Sequence, residues 1–347
     1  MINKTLIILF STVMGMRAAS PEWNPSGKST PGEVGMAGRE FFDSSRSNWL
    51  GNGARPIRVD IWYPSEANSG KEEMINDQNQ FSEPVRMWKE ARLSSGSKKY
   101  PLILISHGSY GNAAQMRWLA YYLAANGYIS VAINHNGTAA EEKQLEFLTL
   151  SEFCMWERPR DVSVVLDKMF SDPDFGAFID RSRIGVAGFS LGGATAIWTG
   201  GAILDMDTLK ANAPELPPAM KQLIERQIEM TKGDILVQQS LQRAGNSYKD
   251  ERIKAIFALA PAIGFGFTRD GLKDVRIPVQ IVVGDRDMIT PMETNARRYS
   301  EFIKNAKLIV LPGERGHFTE NFEGNEHATE LEEVSRIALK FFQENLQ

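Results

Sequence analysis

Gly188-Phe189-Ser190-Leu191-Gly192 is the stretch on which the fold turns. An apolar run, Ile184 to Ala187, leads into it, and a small-residue helical pattern, Gly192 to Ala202, leaves it. A strand that turns sharply into a helix at a serine is the setting of a nucleophile elbow. The serine on so tight a turn takes strained backbone angles, and its neighbours two before and two after must be nearly free of side chain for strand and helix to approach. Gly188 and Gly192 meet that condition. A serine that merely caps a helix N-terminus would give the same local pattern, so the distinction rests on the remainder of the chain.

Upstream, Pro101-Leu102-Ile103-Leu104-Ile105-Ser106 reads as a buried strand ending at His107-Gly108-Ser109-Tyr110-Gly111. With a nucleophile at Ser190, this loop is placed to supply one oxyanion-binding amide, that of Ser109, and Leu191 supplies the second. Downstream, Val279-Gln280-Ile281-Val282-Val283 is another buried strand. Gly284-Asp285-Arg286-Asp287 follows at its carboxyl end, where open α/β sheets carry functional groups. Lys307-Leu308-Ile309-Val310-Leu311 forms a further strand, and the loop after it holds Gly316-His317-Phe318. Asp287 is read as the acid, with Asp285 as its rival, and His317 as the base. The other histidine downstream, His327, falls at the start of an exposed helical pattern. The chain order Ser190, Asp287, His317 is that of the α/β-hydrolase architecture rather than of chymotrypsin or subtilisin.

Each residue type answers a chemical need. A serine hydroxyl is a poor nucleophile at neutral pH, so a neutral imidazole must take its proton and later return it to the leaving group. Histidine, with an unperturbed pKa of about 6.5, is the side chain suited to that exchange. A carboxylate behind the ring fixes the tautomer and stabilises the imidazolium. Two backbone amides then hold the developing oxyanion, each worth roughly 3 to 4 kcal/mol in comparable enzymes.

Six motifs, Arg55-Pro56-Ile57-Arg58-Val59-Asp60-Ile61-Trp62-Tyr63-Pro64, Ser106-His107-Gly108, Trp156-Glu157-Arg158-Pro159-Arg160-Asp161, Gly188-Phe189-Ser190-Leu191-Gly192-Gly193, Gly284-Asp285-Arg286-Asp287 and Gly316-His317-Phe318, span about residues 30 to 320. On them the chain resembles the α/β-hydrolases that join dienelactone-hydrolase-like proteins with the secreted platelet-activating-factor acetylhydrolases. The resemblance implies a mostly parallel central sheet with helices on both faces, and an ester substrate with a short or accessible acyl group. Two positions depart from the pattern. Dienelactone hydrolases carry cysteine at the elbow, where this chain has Ser190, and Phe189 stands where many relatives have histidine.

The bulk properties fit one enzyme domain over residues 20–347. With 347 residues, 42% hydrophobic and 24% charged, the chain can bury a large single core. A net charge of -4 leaves no basic surface for a phosphate backbone, so nucleic acid is not expected as a partner. The single cysteine, Cys154, excludes an intrachain disulfide, and the histidines at 107, 135, 317 and 327 show no zinc spacing. No metal and no organic cofactor is expected. Residues 1–19 read as a signal peptide, with Met1-Ile2-Asn3-Lys4 before the apolar stretch Thr5 to Met16 and then Ala18-Ala19-Ser20. That stretch is too short for a membrane span, and a periplasmic or secreted location follows. Oligomeric state does not follow from the sequence.

Alternating elements fill the interval between motifs. Residues 20–54, rich in Gly, Pro, Ser and Asn, read as an extended approach segment, and 66–98 as an exposed polar excursion. Ile57 to Ile61 and Ile129 to Ile133 are strands, Ala113 to Asn126 and Pro159 to Phe170 helices. Residues 204–250 interrupt the rhythm with a helical stretch containing Met206, Leu209, Met220, Leu223, Ile224, Ile228 and Met230, read as a lid or cap. Ile253 to Ala260 resumes as a strand, and Glu326 to Asn345 closes the chain as an amphipathic helix. The expected activity is that of a serine hydrolase cleaving a small-molecule or lipid-like carboxylic ester through an acyl-enzyme. Lactone, thioester or amide cleavage and acyl transfer would use the same residues, and a non-catalytic hydrolase-like binding protein is the alternative outside enzymes. His107, His135 and Cys154 are read as structural or pocket-wall residues.

Overall fold

Leu102 and Leu104 of the strand before the His-Gly loop face one hydrophobic core, while Ile103 and Ile105 face another. A strand buried on both sides needs layers above and below it, which is the requirement of a parallel α/β sheet. The computed structural model describes residues 32–94, 99–138, 150–213, 229, 232–318 and 325–347. Pro31 to Gln347 form one compact unit. The expected signal segment, residues 1–19, lies outside the described residues, as do Met220, Leu223, Ile224, Ile228 and Met230 of the expected lid.

The strands are β1 (Val34–Ser47), β2 (Ala54–Pro64), β3 (Lys71–Ile75), β4 (Val85–Lys89), β5 (Tyr100–Ser106), β6 (Ile129–Asn134), β7 (Ile179–Phe189), β8 (Ile253–Leu259), β9 (Val279–Gly284) and β10 (Ala306–Leu311). They form one sheet in the order β10-β9-β8-β7-β5-β6-β2-β1-β4-β3. From β6 to β10 every pairing is parallel, while β2 joins β6 and β1 antiparallel. The helices are α1 (Arg117–Ala125), α2 (Arg158–Ser171), α3 (Leu191–Thr199), α4 (Met206–Asn212), α5 (Ile235–Leu241), the single turn α6 (Arg269–Leu272), α7 (Ala296–Phe302) and α8 (Asn325–Asn345). Val162, Leu166, Ile197, Trp198 and Tyr299 from α2, α3 and α7 cover one face. Leu119, Leu123, Val334 and Phe342 from α1 and α8 cover the other. This is the expected fold class, and among the described residues no helix is long and apolar enough to cross a membrane.

Two segments differ from their sequence reading. The approach segment becomes, from Val34 onward, the fourteen-residue strand β1, paired along its length with β2. Its glycines hid it; Gly35 is required because a Cβ there would lie 2.4 Å from the Tyr63 ring. The polar excursion holds β3 and β4, two five-residue strands at the sheet edge. Short, charged strands such as Lys71-Glu72-Glu73 keep an edge from pairing with another chain, and so read as loop. The described parts of the 204–250 insert are α4 and α5, whose Leu209 and Val237 pack on the main core.

A buried charge network joins β1, β2, β6 and α2. Asp161 accepts from Arg46 at 2.6 Å, from Arg55 at 2.8 and 2.9 Å, and from His135 Nδ1 at 2.9 Å. Burial alone would raise the Asp161 carboxyl, but Arg55 and Arg46 outweigh it and hold it well below the usual range. Burial, with Arg158 nearby, lowers His135 to about 4 despite its bond to Asp161. Burial also drives His107 well below the ordinary value, helped by Arg158 and His135. Both rings are therefore neutral in the native state at pH 5 to 6.5, whereas in the unfolded chain they take up protons below about 6.5. Since the unfolded state binds more protons there, stability must fall as pH falls. Taking His135 from 6.5 to about 4, its share is on the order of 3 kcal/mol. Urea unfolding at pH 6.5 and pH 5 is expected to show about half of that loss from His135, with the slope approaching two protons for the two rings near pH 5; a flat stability profile over that range would contradict buried neutral rings.

Candidate active site

The elbow is built by the absence of side chains. A Cβ on Gly188 would lie 2.1 Å from the Gly192 carbonyl oxygen, and one on Gly192 would lie 2.0 Å from that of Ser106. Ends of β5, β7 and α3 thus meet backbone to backbone. Ser190 takes φ 53°, ψ −117°, in the positive-φ region that a residue with a side chain rarely occupies. Although Ser190 precedes α3, its side chain makes no helix-capping bond. Its Oγ instead lies 2.9 Å from His317 Nε2.

His317 is carried by the loop after β10, and its Nδ1 lies 2.8 Å from Asp287 Oδ2. Asp287 sits past the end of β9, where its Oδ1 accepts the amides of Ile289 and Thr290 at 3.0 and 2.7 Å. Thr290 Oγ1 donates to Asp287 Oδ2 at 2.7 Å. Burial pushes Asp287 upward, but His317 and the Thr290 bonds outweigh it and leave the carboxyl below its ordinary value. An ionised Asp287 accepts the Nδ1 proton, which leaves Nε2 as the acceptor facing Ser190. Asp285 has another task. Its carboxylate accepts the amides of Gly313 and Arg315 at 3.1 and 2.8 Å, tying the histidine loop to the acid loop. Phe189 packs on the imidazole, with ring centroids 4.9 Å apart. Thr290 was not singled out from sequence; the signal was its place three residues after an aspartate, the spacing of a side-chain-to-backbone turn.

Ser109 lies in the loop after β5 and Leu191 at the first position of α3. The first amides of a helix have no intrahelical acceptor, so the Leu191 N–H is available. In the β5 loop, Gly108 N donates to Gln115 Oε1 at 2.9 Å and Tyr110 N to Glu152 Oε1 at 3.0 Å. Among the described residues, the Ser109 amide between them has no such partner.

A second Ser-His-Asp chain lies deeper. Ser106 Oγ is 2.9 Å from His135 Nε2, and His135 Nδ1 is 2.9 Å from Asp161. All three side chains are fully buried. Ser106 is moreover the last residue of a strand paired on both sides, to Ile133 and Gly188. No reacting group reaches it. His107 Nδ1 donates to the Gly108 carbonyl at 2.7 Å, and Cys154 is buried, with its thiol pushed up to about 12 by burial. Among the described residues no three His, Cys, Asp or Glu side chains converge as metal ligands.

The backbone contact at the elbow is expected to be intolerant of one carbon. Gly192→Ala should lose soluble folded protein, or Ser190 reactivity where it folds. Gly38→Ala, at a position with nothing within 4 Å of a Cβ, should express and melt like the parent. Circular dichroism melts of both variants check this, and equal behaviour would contradict the packing described.

No protein-family model matches the chain. It is 29% identical over 109 residues to dipeptidyl-peptidase 5 of Porphyromonas gingivalis, covering 30% of this chain and 15% of that protein. It is 32% identical over 72 residues to the bifunctional esterase/perhydrolase DCH of Acinetobacter calcoaceticus, covering 21% of this chain and 23% of that one. The chain thus spans less than a quarter of the length of either relative. The solved structure of a ferulic acid esterase from Streptomyces cinnamoneus superposes with a TM-score of 0.59 at 18% identity, over 92% of both chains. Sheet order, strand-end loops and this superposition agree: the chain has the α/β-hydrolase fold.

Proposed function

We propose that the protein is a serine hydrolase that cleaves carboxylic esters through an acyl-enzyme. The observation that carries the reading is the continuous chain from Ser190 Oγ to His317 Nε2 at 2.9 Å and from His317 Nδ1 to Asp287 at 2.8 Å. In the first half-reaction, Ser190 Oγ attacks the ester carbonyl while His317 Nε2 takes its proton. Asp287, ionised and oriented by Thr290, stabilises the imidazolium. The carbonyl oxygen, now negative, is received by the Leu191 and Ser109 amides. His317 then protonates the departing alkoxide, and the acyl group stays on Ser190. In the second half-reaction, water follows the same path and releases the acid. Dipeptidyl-peptidase and esterase/perhydrolase are both names found among the relatives, so the triad chemistry alone leaves the acyl group's partner open. The ester reading is favoured by the esterase names on one relative and on the superposed structure.

Intact-mass labelling with a fluorophosphonate, paired with a series of p-nitrophenyl esters of rising acyl length, tests the proposal. One adduct is expected on the parent and none on Ser190→Ala, which should also lose at least ~10³-fold in ester turnover while keeping its melting temperature. Ester hydrolysis retained in Ser190→Ala would sink the assignment.

A further inference from the structure

Within the motif Trp156-Glu157-Arg158-Pro159-Arg160-Asp161 at the start of α2, Arg158 is fully buried yet lies away from Ser190 in sequence and has no part in the proton path. One terminal nitrogen of its guanidinium donates to the His107 carbonyl at 3.0 Å, and the other to Glu152 Oε1 at 2.6 Å. The same Glu152 oxygen accepts the Tyr110 amide at 3.0 Å. Arg158 Nε has no partner among the described residues, so these two contacts carry its hydrogen bonding. The pair therefore grips the β5 loop on both sides of Ser109, at the carbonyl two residues before it and the amide one residue after. Gln115 fixes the Gly108 amide, and the His107 ring fixes the Gly108 carbonyl. Of the backbone amides from Gly108 to Gly111, that of Ser109 is the one without a partner among the described residues.

We infer that Glu152 and Arg158 are positioning residues that hold the Ser109 amide in place to receive the oxyanion. Tyr110, at φ 56° and 63% exposed, is held in this conformation through its amide bond to Glu152. A buried arginine fork is suited to the task because its two terminal nitrogens are held rigidly apart in one plane. A donor displaced by a fraction of an ångström still allows substrate to bind and costs stabilisation only where charge develops. The effect belongs in kcat rather than KM.

The inference rests on Ser190 acting as the nucleophile, and its test separates charge from position. Glu152→Gln keeps an oxygen at the same reach and loses the charge; Glu152→Asp keeps the charge and draws the oxygen back by one methylene; Glu152→Ala removes both. With p-nitrophenyl esters, Glu152→Gln is expected within about threefold of the parent. Glu152→Asp and Glu152→Ala should fall by ~10- to 100-fold in kcat with KM within about threefold, a fraction of what removing a whole oxyanion donor costs. Each variant is compared at a temperature where circular dichroism shows it folded, so a lower melting point in the alanine variant leaves the aspartate variant to decide. Three results would overturn the inference: Glu152→Asp equal to the parent with Glu152→Gln impaired, an effect confined to KM, or all variants within twofold of the parent. Ester activity that survives Ser190→Ala would instead remove the nucleophile on which it rests, so the two failures are distinct.

Discussion

Two missing side chains hold the candidate site together. At Gly188 and Gly192 the backbones of β5, β7 and α3 approach more closely than any Cβ would allow, and that approach forces Ser190 into a positive-φ turn. Such a conformation costs on the order of 1 to 3 kcal/mol and persists only where the surroundings fix it. Here the fixing groups are visible. The Ser190 amide donates to the Leu259 carbonyl at 2.8 Å, and the Ser190 carbonyl accepts the amides of Ala262 and Ala194 at 3.0 and 3.2 Å. The neighbouring strand and the helix thus clamp both ends of the strained residue. Its hydroxyl is turned away from helix capping and toward His317, and the same turn frees the Leu191 amide. The position of the Ser190 hydroxyl and the availability of the Leu191 amide are consequences of one contact.

The charge network beneath the β5 loop is a different kind of support. Removing Asp161, Arg46, Arg55 and Arg158 from water is costly, and a buried ion pair is often no more stable than a well-packed apolar replacement. What the network supplies is defined geometry. Asp161 accepts four hydrogen bonds from three residues, so the ends of β1 and β2 and the start of α2 have little freedom relative to one another. Glu157, one turn earlier, accepts from Ser240 and Arg243 at 2.6 and 2.5 Å, and Trp156 donates to the Ser240 carbonyl at 2.8 Å. A single six-residue motif therefore joins the antiparallel side of the sheet, the β5 loop and helix α5.

Much of this architecture was legible because it is local. Buried parallel strands are continuous apolar runs, and β5, β7, β8 and β9 could be read directly, as could the helix stop at Gly127, whose φ is 88°. What escaped was set by long-range packing. Strand β1 carries glycine and charge at positions that make sense only once Tyr63 and Glu90 are beside it: Gly35 makes room for the ring, and the Gly38 amide donates to the Glu90 carboxylate. The two aspartates after β9 illustrate the limit within the site. The sequence puts both in the loop after β9, and the spacing from Gly284 favours Asp287. Their separate tasks, one on the imidazole and one on the backbone of the histidine loop, depend on how two loops meet where Gly284 admits the Arg315 carbonyl. Thr290 and Glu152 belong to the same class, since their significance lies in partners far along the chain.

The two Ser-His-Asp chains in this molecule show why distances alone do not define a nucleophile. Ser106, His135 and Asp161 match the spacing of Ser190, His317 and Asp287 to within about a tenth of an ångström at each link. They differ in what surrounds the serine. Ser106 ends a strand with neighbours on either side, so its backbone is engaged in the sheet. His135 is besides fully buried, with Arg158 and Arg55 nearby, and both burial and those charges oppose a positive charge on its ring. A base that resists becoming cationic is poorly suited to accept the proton that nucleophilic attack releases. Ser190, by contrast, stands past the end of its strand, with a helix amide next to it and a histidine whose carboxylate partner, among the described residues, is shared with no arginine. The inner chain ties the end of β5 to the loop after β6 and to α2. The outer one, on the reading proposed above, is left for the chemistry, so that two sets of the same three side chains would serve rigidity and reactivity separately.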